Sequence, residues 1–278
     1  MKTHSVVGGG GVKLHVREWG KHDAPAVLFI HGWSQNHLCW RKQYESTLAD
    51  RFRLVAFDLR GHGLSDAPES PQAYAEPQLW ADDIAAIIKQ LSLRQPALVG
   101  WSYAGFVICD YLRAFGQDDI SGVNFAGAAV MLNNAAFGVL IGPGFLEHVP
   151  GATSNDLLIN IQAMRAFVRG CTVHPLSPDD YEIALCWNMT VPAKVRAALI
   201  SRQIDSDSVL RALRRPVLMT HGLSDTVVLP AMGKVILDAC HTCSASWYPE
   251  VGHVPFLEDP VRFNCELSDF VSEALIRS

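Results

Sequence analysis

Ala26-Val27-Leu28-Phe29-Ile30 is a run of five apolar residues with no polar position in it. A strand with one face in water alternates, whereas an unbroken apolar run suits a strand covered on both faces, as in a parallel sheet. Similar runs recur at Arg53-Leu54-Val55-Ala56-Phe57, Pro96-Ala97-Leu98-Val99, 120–126, Pro216-Val217-Leu218-Met219-Thr220 and Ala245-Ser246-Trp247-Tyr248. An alternating strand is expected at 12–16, with the glycines of 8–11 as a hairpin turn before it. Between the strands, Ile84, Ile87, Ile88 and Leu91 fall at helical spacing behind Asp82 and Asp83, where acids complement the helix dipole. Strand–helix alternation of this kind predicts an α/β fold: a mostly parallel central sheet with helices on both faces. Ligands then gather at the carboxyl ends of the strands.

The chain has 278 residues, 49% of them apolar, enough for one α/β domain with an insertion. The insertion is visible as a change of pattern. Helix follows helix at 155–169, 178–189, 191–201 and 207–214, and no linker sets this stretch apart. The expected division is a core of 1–129 and 208–278 with a helical cap at 130–207, folded as a lid over the sheet edge.

With 28 acidic and 23 basic residues the net charge is −5, and no Lys/Arg cluster occurs, so nucleic acid and anionic membranes are not expected partners. The start, Met1-Lys2-Thr3-His4-Ser5, does not open an apolar signal-peptide core, and a cytoplasmic location is expected. Residues 120–146 carry no charge, and Asn124, Asn133, Asn134, Pro143 and several glycines interrupt them. A strand and a pocket-lining loop fit that composition better than a membrane span. Seven scattered cysteines fit reduced thiols. Cys240-His241-Thr242-Cys243 lacks a second pair of metal ligands and falls near a helix C-terminus, so neither a metal nor a redox role is expected of it.

Leu98-Val99-Gly100-Trp101-Ser102-Tyr103-Ala104-Gly105 runs from a strand through a serine into the helix-like Phe106-Val107-Ile108-Cys109-Asp110-Tyr111-Leu112. A sharp strand-to-helix turn strains the serine backbone, exposes its hydroxyl at the sheet end and sets the next N–H at a helix N-terminus. Three other groups follow predicted strands in the same way: His31-Gly32-Trp33, Asp225 in His221-Gly222-Leu223-Ser224-Asp225, and His253 in Pro249-Glu250-Val251-Gly252-His253. A serine hydroxyl needs a histidine to take its proton, and the histidine needs a carboxylate to fix its tautomer. Ser102, Asp225 and His253 are therefore the expected catalytic residues.

In HGW (31–33), DLRGHGLSD (58–66), GWSYAG (100–105), HGLSD (221–225) and GHVPFLEDP (252–260) the chain resembles the α/β-hydrolase superfamily over nearly its whole length. The Ser, Asp, His order is the one that family uses. The resemblance implies that the backbone N–H groups of Trp33 and Tyr103 form an oxyanion hole and that the helical insertion is a cap. Ala104 replaces the family's usual glycine and is still small. Residues 58–66, with Asp58, Arg60 and His62, resemble a structural loop of the family. His31 reads as a structural histidine beside the oxyanion loop, His37 as a loop residue within possible reach of a pocket, and His221 as a core hydrogen-bonding residue. Glu250 precedes His253 too closely to orient it easily. Trp101, Tyr103, Met131, Trp187 and Val227 are candidates for the substrate pocket, though large apolar residues equally build cores.

Serine at the elbow argues against dehalogenases and epoxide hydrolases of this fold, and His31-Gly32-Trp33-Ser34 lacks the HGGG of hormone-sensitive-lipase relatives. What remains resembles the serine esterase, lactonase and cofactor-free haloperoxidase (perhydrolase) branch. The expected reaction is hydrolysis of a small to medium carboxylic ester or lactone through an acyl-enzyme, with no metal or organic cofactor. Two alternatives stay open: a cofactor-free dioxygenase of N-heteroaromatic compounds, and a hydrolase-fold receptor for a small molecule. Substrate identity and oligomeric state are not legible.

Overall fold

The computed structural model describes residues 1–132 and 137–277. An eight-stranded sheet runs through it, built from β1 (Lys2–Val7), β2 (Lys13–Gly20), β3 (Ala26–Ile30), β4 (Arg53–Phe57), β5 (Ala97–Trp101), β6 (Gly122–Ala126), β9 (Val217–Gly222) and β10 (Cys243–Tyr248). Two short strands, β7 (Met131–Leu132) and β8 (Ile204–Asp205), pair separately. The sheet order is β1-β2-β4-β3-β5-β6-β9-β10. β2 is antiparallel to both β1 and β4, and every pairing from β4 to β10 is parallel.

Every residue of β3, β4, β5 and β6 is buried, as their predominantly apolar runs require, Arg53 of β4 and Asn124 of β6 included. The glycine run forms a short 3₁₀ turn, Gly9–Gly11, between β1 and β2. Edge strand β10 is mixed in burial. Strand β5 extends two residues beyond the expected Val99 to Trp101, because Gly100 and Trp101 still pair with Phe125 and Ala126 of β6.

The main helices are α1 (Pro77–Gln90), α2 (Ala104–Phe115), α3 (Leu157–Gly170), α4 (Pro178–Met189), α5 (Ala193–Ile200), α6 (Asp207–Ala212), α7 (Pro230–Ala239) and α8 (Pro260–Arg277). Helices α3 to α5 lie between β6 and β9 in the chain, within the stretch expected to be a helical insertion. Asp156 caps α3 by accepting from Leu158 and Ile159 N–H, and the Ser177 hydroxyl caps α4, with Pro178 where no N–H is needed. Of the interrupting residues noted in 120–146, Asn124 lies in β6 and Asn133 and Asn134 lie outside the described residues. Among the described residues no helix is long and apolar enough to cross a membrane.

The chain leaves β3 toward β4 on one side and leaves β5 toward β6 on the other. Loops that diverge in this way open a crevice at the carboxyl ends of β3 and β5, the switch point where doubly wound sheets bind ligands.

Candidate active site

Ser102 follows β5 and precedes α2 by two residues, with φ +57°. That left-handed conformation is unfavourable for a residue with a Cβ, and local contacts hold it. Ser102 N–H donates to Ala126 O at 3.2 Å, and Ser102 O accepts from Gly105 and Ala129 N–H at 3.0 and 2.9 Å. Small neighbours make the turn possible. A Cβ on Gly105 would come 2.3 Å from Ala129 O, and one on Gly32 would come 2.9 Å from Ser102 Cβ. Ala104, one residue earlier than Gly105, is fully buried beside this turn.

The three residues expected to act together meet, although 28 and 151 residues separate Asp225 and Ser102 from His253 in sequence. Ser102 Oγ lies 2.9 Å from His253 Nε2, and His253 Nδ1 lies 2.8 Å from Asp225 Oδ2. His253 and Asp225 are 1% and 2% exposed, so water competes little for these bonds. Asp225 Oδ1 also accepts the Val227 and Val228 N–H groups at 2.8 and 3.0 Å. Burial alone would raise the Asp225 carboxyl, but the imidazoles of His253 and His221 outweigh it and hold the group at about 2.

His221 does more than bond within the core. Its Nε2 donates to Val228 O at 2.9 Å and also stands 3.3 Å from Asp225 Oδ2. The four-residue spacing of His221 and Asp225 was the available signal. Other supports of His253 were not legible. Its N–H donates to Cys171 O at 2.8 Å, and its carbonyl accepts the Trp101 indole N–H at 2.9 Å. Glu258 accepts N–H bonds from Gly252 at 2.9 Å and Val173 at 2.7 Å, tying the histidine loop to the stretch after α3. Glu250, by contrast, is exposed.

The loop after β3 is held by neutral histidines. His62 Nε2 accepts Ser34 N–H at 3.2 Å while its Nδ1 donates to Arg60 O at 2.9 Å, and Ser34 sits at φ +61°. His31 donates to Gly32 O at 2.8 Å and accepts Leu59 N–H at 2.9 Å. Burial first, and the neighbouring His62 second, depress His31 to about 3; burial depresses His62 to about 4. His37 turns to Asp58 at 2.7 Å and lines no cavity beside Ser102. Arg60 is spent on Asp83, at 2.7 Å with both side chains fully buried. His15, His37 and Asp58 form the one grouping among the described residues whose ligand atoms cluster within 4.8 Å; a direct His37–Asp58 hydrogen bond already occupies it.

Among the described residues, the N–H groups of Trp33 and Tyr103 have no hydrogen-bond partner. Both residues border, with Ser102, a narrow cavity. Phe106, Ile141, Phe145, Ile200, Val227 and Val228 supply much of its otherwise apolar wall, and among the described residues no charged side chain lines it. Of the candidate pocket residues, Tyr103 and Val227 lie here. Trp101 and Trp187 line a second, equally narrow space with Gln35, Cys171 and Val254. Met131 is half-buried in β7, pairs with Asp205 and lines neither space. Two further hollows, at His22/Arg53/Gln95 and at Arg215/His241, lie at the amino ends of the strands, remote from Ser102.

A family model described as the alpha/beta hydrolase family matches residues 27–266. The chain belongs to that family. Solved structures similar to this α/β hydrolase include an esterase of Rhodococcus sp. ECU1013, 36% identical with TM-score 0.91 over 98% of this chain and 99% of the other. A Burkholderia cenocepacia protein assigned as an aryl esterase is 32% identical with TM-score 0.93 over 99% of each chain. Among curated relatives, an AB hydrolase superfamily protein of Bacillus subtilis (strain 168) is 26% identical over 93% of this chain and 95% of its own length. This α/β hydrolase thus has the mostly parallel, helix-covered sheet expected from its sequence.

Proposed function

We propose that the protein is a serine hydrolase of small to medium, uncharged carboxylic esters or lactones. The observation that carries this reading is the unbroken chain Ser102–His253–Asp225 opening onto an apolar cavity beside two unpartnered N–H groups. Ser102 Oγ attacks the carbonyl carbon as His253 Nε2 takes its proton. The Trp33 and Tyr103 N–H groups receive the oxyanion, and preorganised donors of this kind stabilise the charge without reorganising. Collapse expels the alkoxide, which leaves as the alcohol with the proton from His253. Water, deprotonated by the same imidazole, attacks the acyl-enzyme, and collapse of that adduct releases the acid and restores Ser102. Asp225, ionised through the whole neutral range, keeps His253 Nδ1 protonated and stabilises the imidazolium. This chemistry needs neither metal nor organic cofactor.

Residues 130–207 act in this reading as the cap. Ile141, Phe145 and Ile200 from that stretch form the cavity wall facing Ser102. The absence of charge among the described lining residues favours neutral acyl groups, since a carboxylate there would be desolvated without a partner. The esterase relatives support ester cleavage over oxygenation, and all seven cysteines are unpaired, which fits the cytoplasm. The test is hydrolysis of p-nitrophenyl esters and γ-lactones by wild type and Ser102→Ala. The variant should lose on the order of 10⁶-fold in kcat. Near-normal turnover by a folded Ser102→Ala would end the proposal.

A further inference from the structure

Tyr103, the residue after Ser102, carries a second connection through its side chain. Its hydroxyl donates to Leu199 O at 3.3 Å and accepts from Arg202 Nη1 at 3.3 Å. Arg202 Nη2 pairs with Asp110 Oδ2 at 2.5 Å, and the two side chains are 2% and 1% exposed. Asp110 lies on α2, the helix that begins beside the nucleophile. Its other oxygen accepts from Arg113 at 3.1 Å, and Arg113 also reaches Asp205 O at 3.1 Å. The rings of Trp80 and Phe106 flank Tyr103 at 5.9 and 5.1 Å, and the Arg202 guanidinium stands 5.9 Å from the Trp80 ring.

Arg202 sits between two pieces of the cavity wall. Two residues before it is Ile200, which borders the cavity. Two residues after it β8 begins, where Ile204 pairs with Leu132, another wall residue. A buried ion pair contributes little net stability but is strongly directional, because neither charge has water to fall back on. Here the direction it enforces runs from the wall segment 199–205 to the helix that follows the nucleophile.

We propose that Arg202 is a positioning residue whose pairing with Asp110 and Tyr103 holds the Ile200 wall in place, and so sets the length of acyl group the cavity accepts. This rests on the reading of the cavity as the acyl site. With the tether cut, the 199–205 segment recedes, short acyl groups lose their fit and longer ones gain room.

The experiment compares kcat/KM for p-nitrophenyl acetate, butyrate and octanoate, normalised to active sites counted by fluorophosphonate labelling. Arg202→Gln/Asp110→Asn removes both charges together, so that neither is left buried alone. Ile200→Ala widens the wall directly and calibrates the direction of change. The double variant should raise the octanoate-to-acetate ratio about tenfold, in the same direction as Ile200→Ala, since one misfitted methylene is worth about 10-fold or more. A parallel fall on all three esters with the ratio unmoved would overturn the proposal and leave the pair a merely structural one. Should the double variant fail to fold, Tyr103→Phe keeps the ion pair and deletes only its link to Leu199 and Arg202. It should move the ratio in the same direction, by less, and an unmoved ratio there refutes the tether. Wild type that neither turns over esters nor takes the label would instead refute the hydrolase reading, and this one with it.

Discussion

Acid should destabilise this protein earlier than its carboxylates alone would dictate, and His62 is the place to test that. In the fold the His62 imidazole must be neutral, because Nδ1 donates to Arg60 O and Nε2 accepts Ser34 N–H. A proton on Nε2 would face a second donor in a site that is 1% exposed. His31 has the same constraint between Gly32 O and Leu59 N–H. From the ordinary value of 6.5, His62 falls to about 4 and His31 to about 3. The unfolded chain therefore takes up protons as pH drops through 6.5, while folded His62 does not until pH reaches about 4. The unfolded state binds more protons in between, so stability present above 6.5 drains away as pH falls and stops falling once the folded pKa is passed.

One pKa unit is worth about 1.4 kcal/mol, so each histidine removes about 2 kcal/mol between about pH 7 and pH 5, and the pair about 4. That is a large share of the ~5–15 kcal/mol typical of a folded domain. His15, depressed mainly by burial, acts in the same direction. Glu258, raised by burial against its backbone hydrogen bonds, acts in the opposite one. Comparing wild type with His62→Gln at both pH values cancels these shared contributions. Gln can accept the Ser34 N–H but does not titrate. Urea unfolding should show the loss between about pH 7 and pH 5 shrinking by about 2 kcal/mol in the variant, whatever the variant costs at neutral pH. The same loss in both proteins would refute the argument that His62 is held neutral by its two backbone partners.

Asp225→Asn should fold normally and lower kcat on the order of 10⁴-fold, because an amide in place of the carboxylate no longer holds the proton on His253 Nδ1. Ester hydrolysis rates normalised by active-site titration check it. Asp83→Asn leaves the Arg60 guanidinium buried without its charge partner and should cost about 3–5 kcal/mol by urea unfolding. Replacing Arg60 and Asp83 together with Met should recover part of that loss in the same assay.

Much of the site was legible because its parts are local. A strand, a small-residue turn and a helix around Ser102 are written in consecutive residues, and the structure gives that turn φ +57° at the serine. Asp225 and His253 were legible for the same reason: each follows a strand that its own run of residues specifies. The parallel sheet was legible in the runs at β3 to β6, since a strand buried on both faces has few polar positions to hide.

What only the tertiary structure decided is which buried residues face one another. Periodicity tells that a side chain is buried but not against what, so Trp101 and Trp187 looked equal to Val227 as pocket candidates and lie in a different space. The wall residues Ile141, Phe145 and Ile200 come from the stretch between β6 and β9, and their place over Ser102 depends on how that stretch packs. The Glu258 tie between Gly252 and Val173 and the Arg202–Asp110 pair join residues whose neighbours in sequence give little sign of the partner. Hydrogen bonds and ion pairs act over about 3 Å, and only the folded chain brings such groups that close.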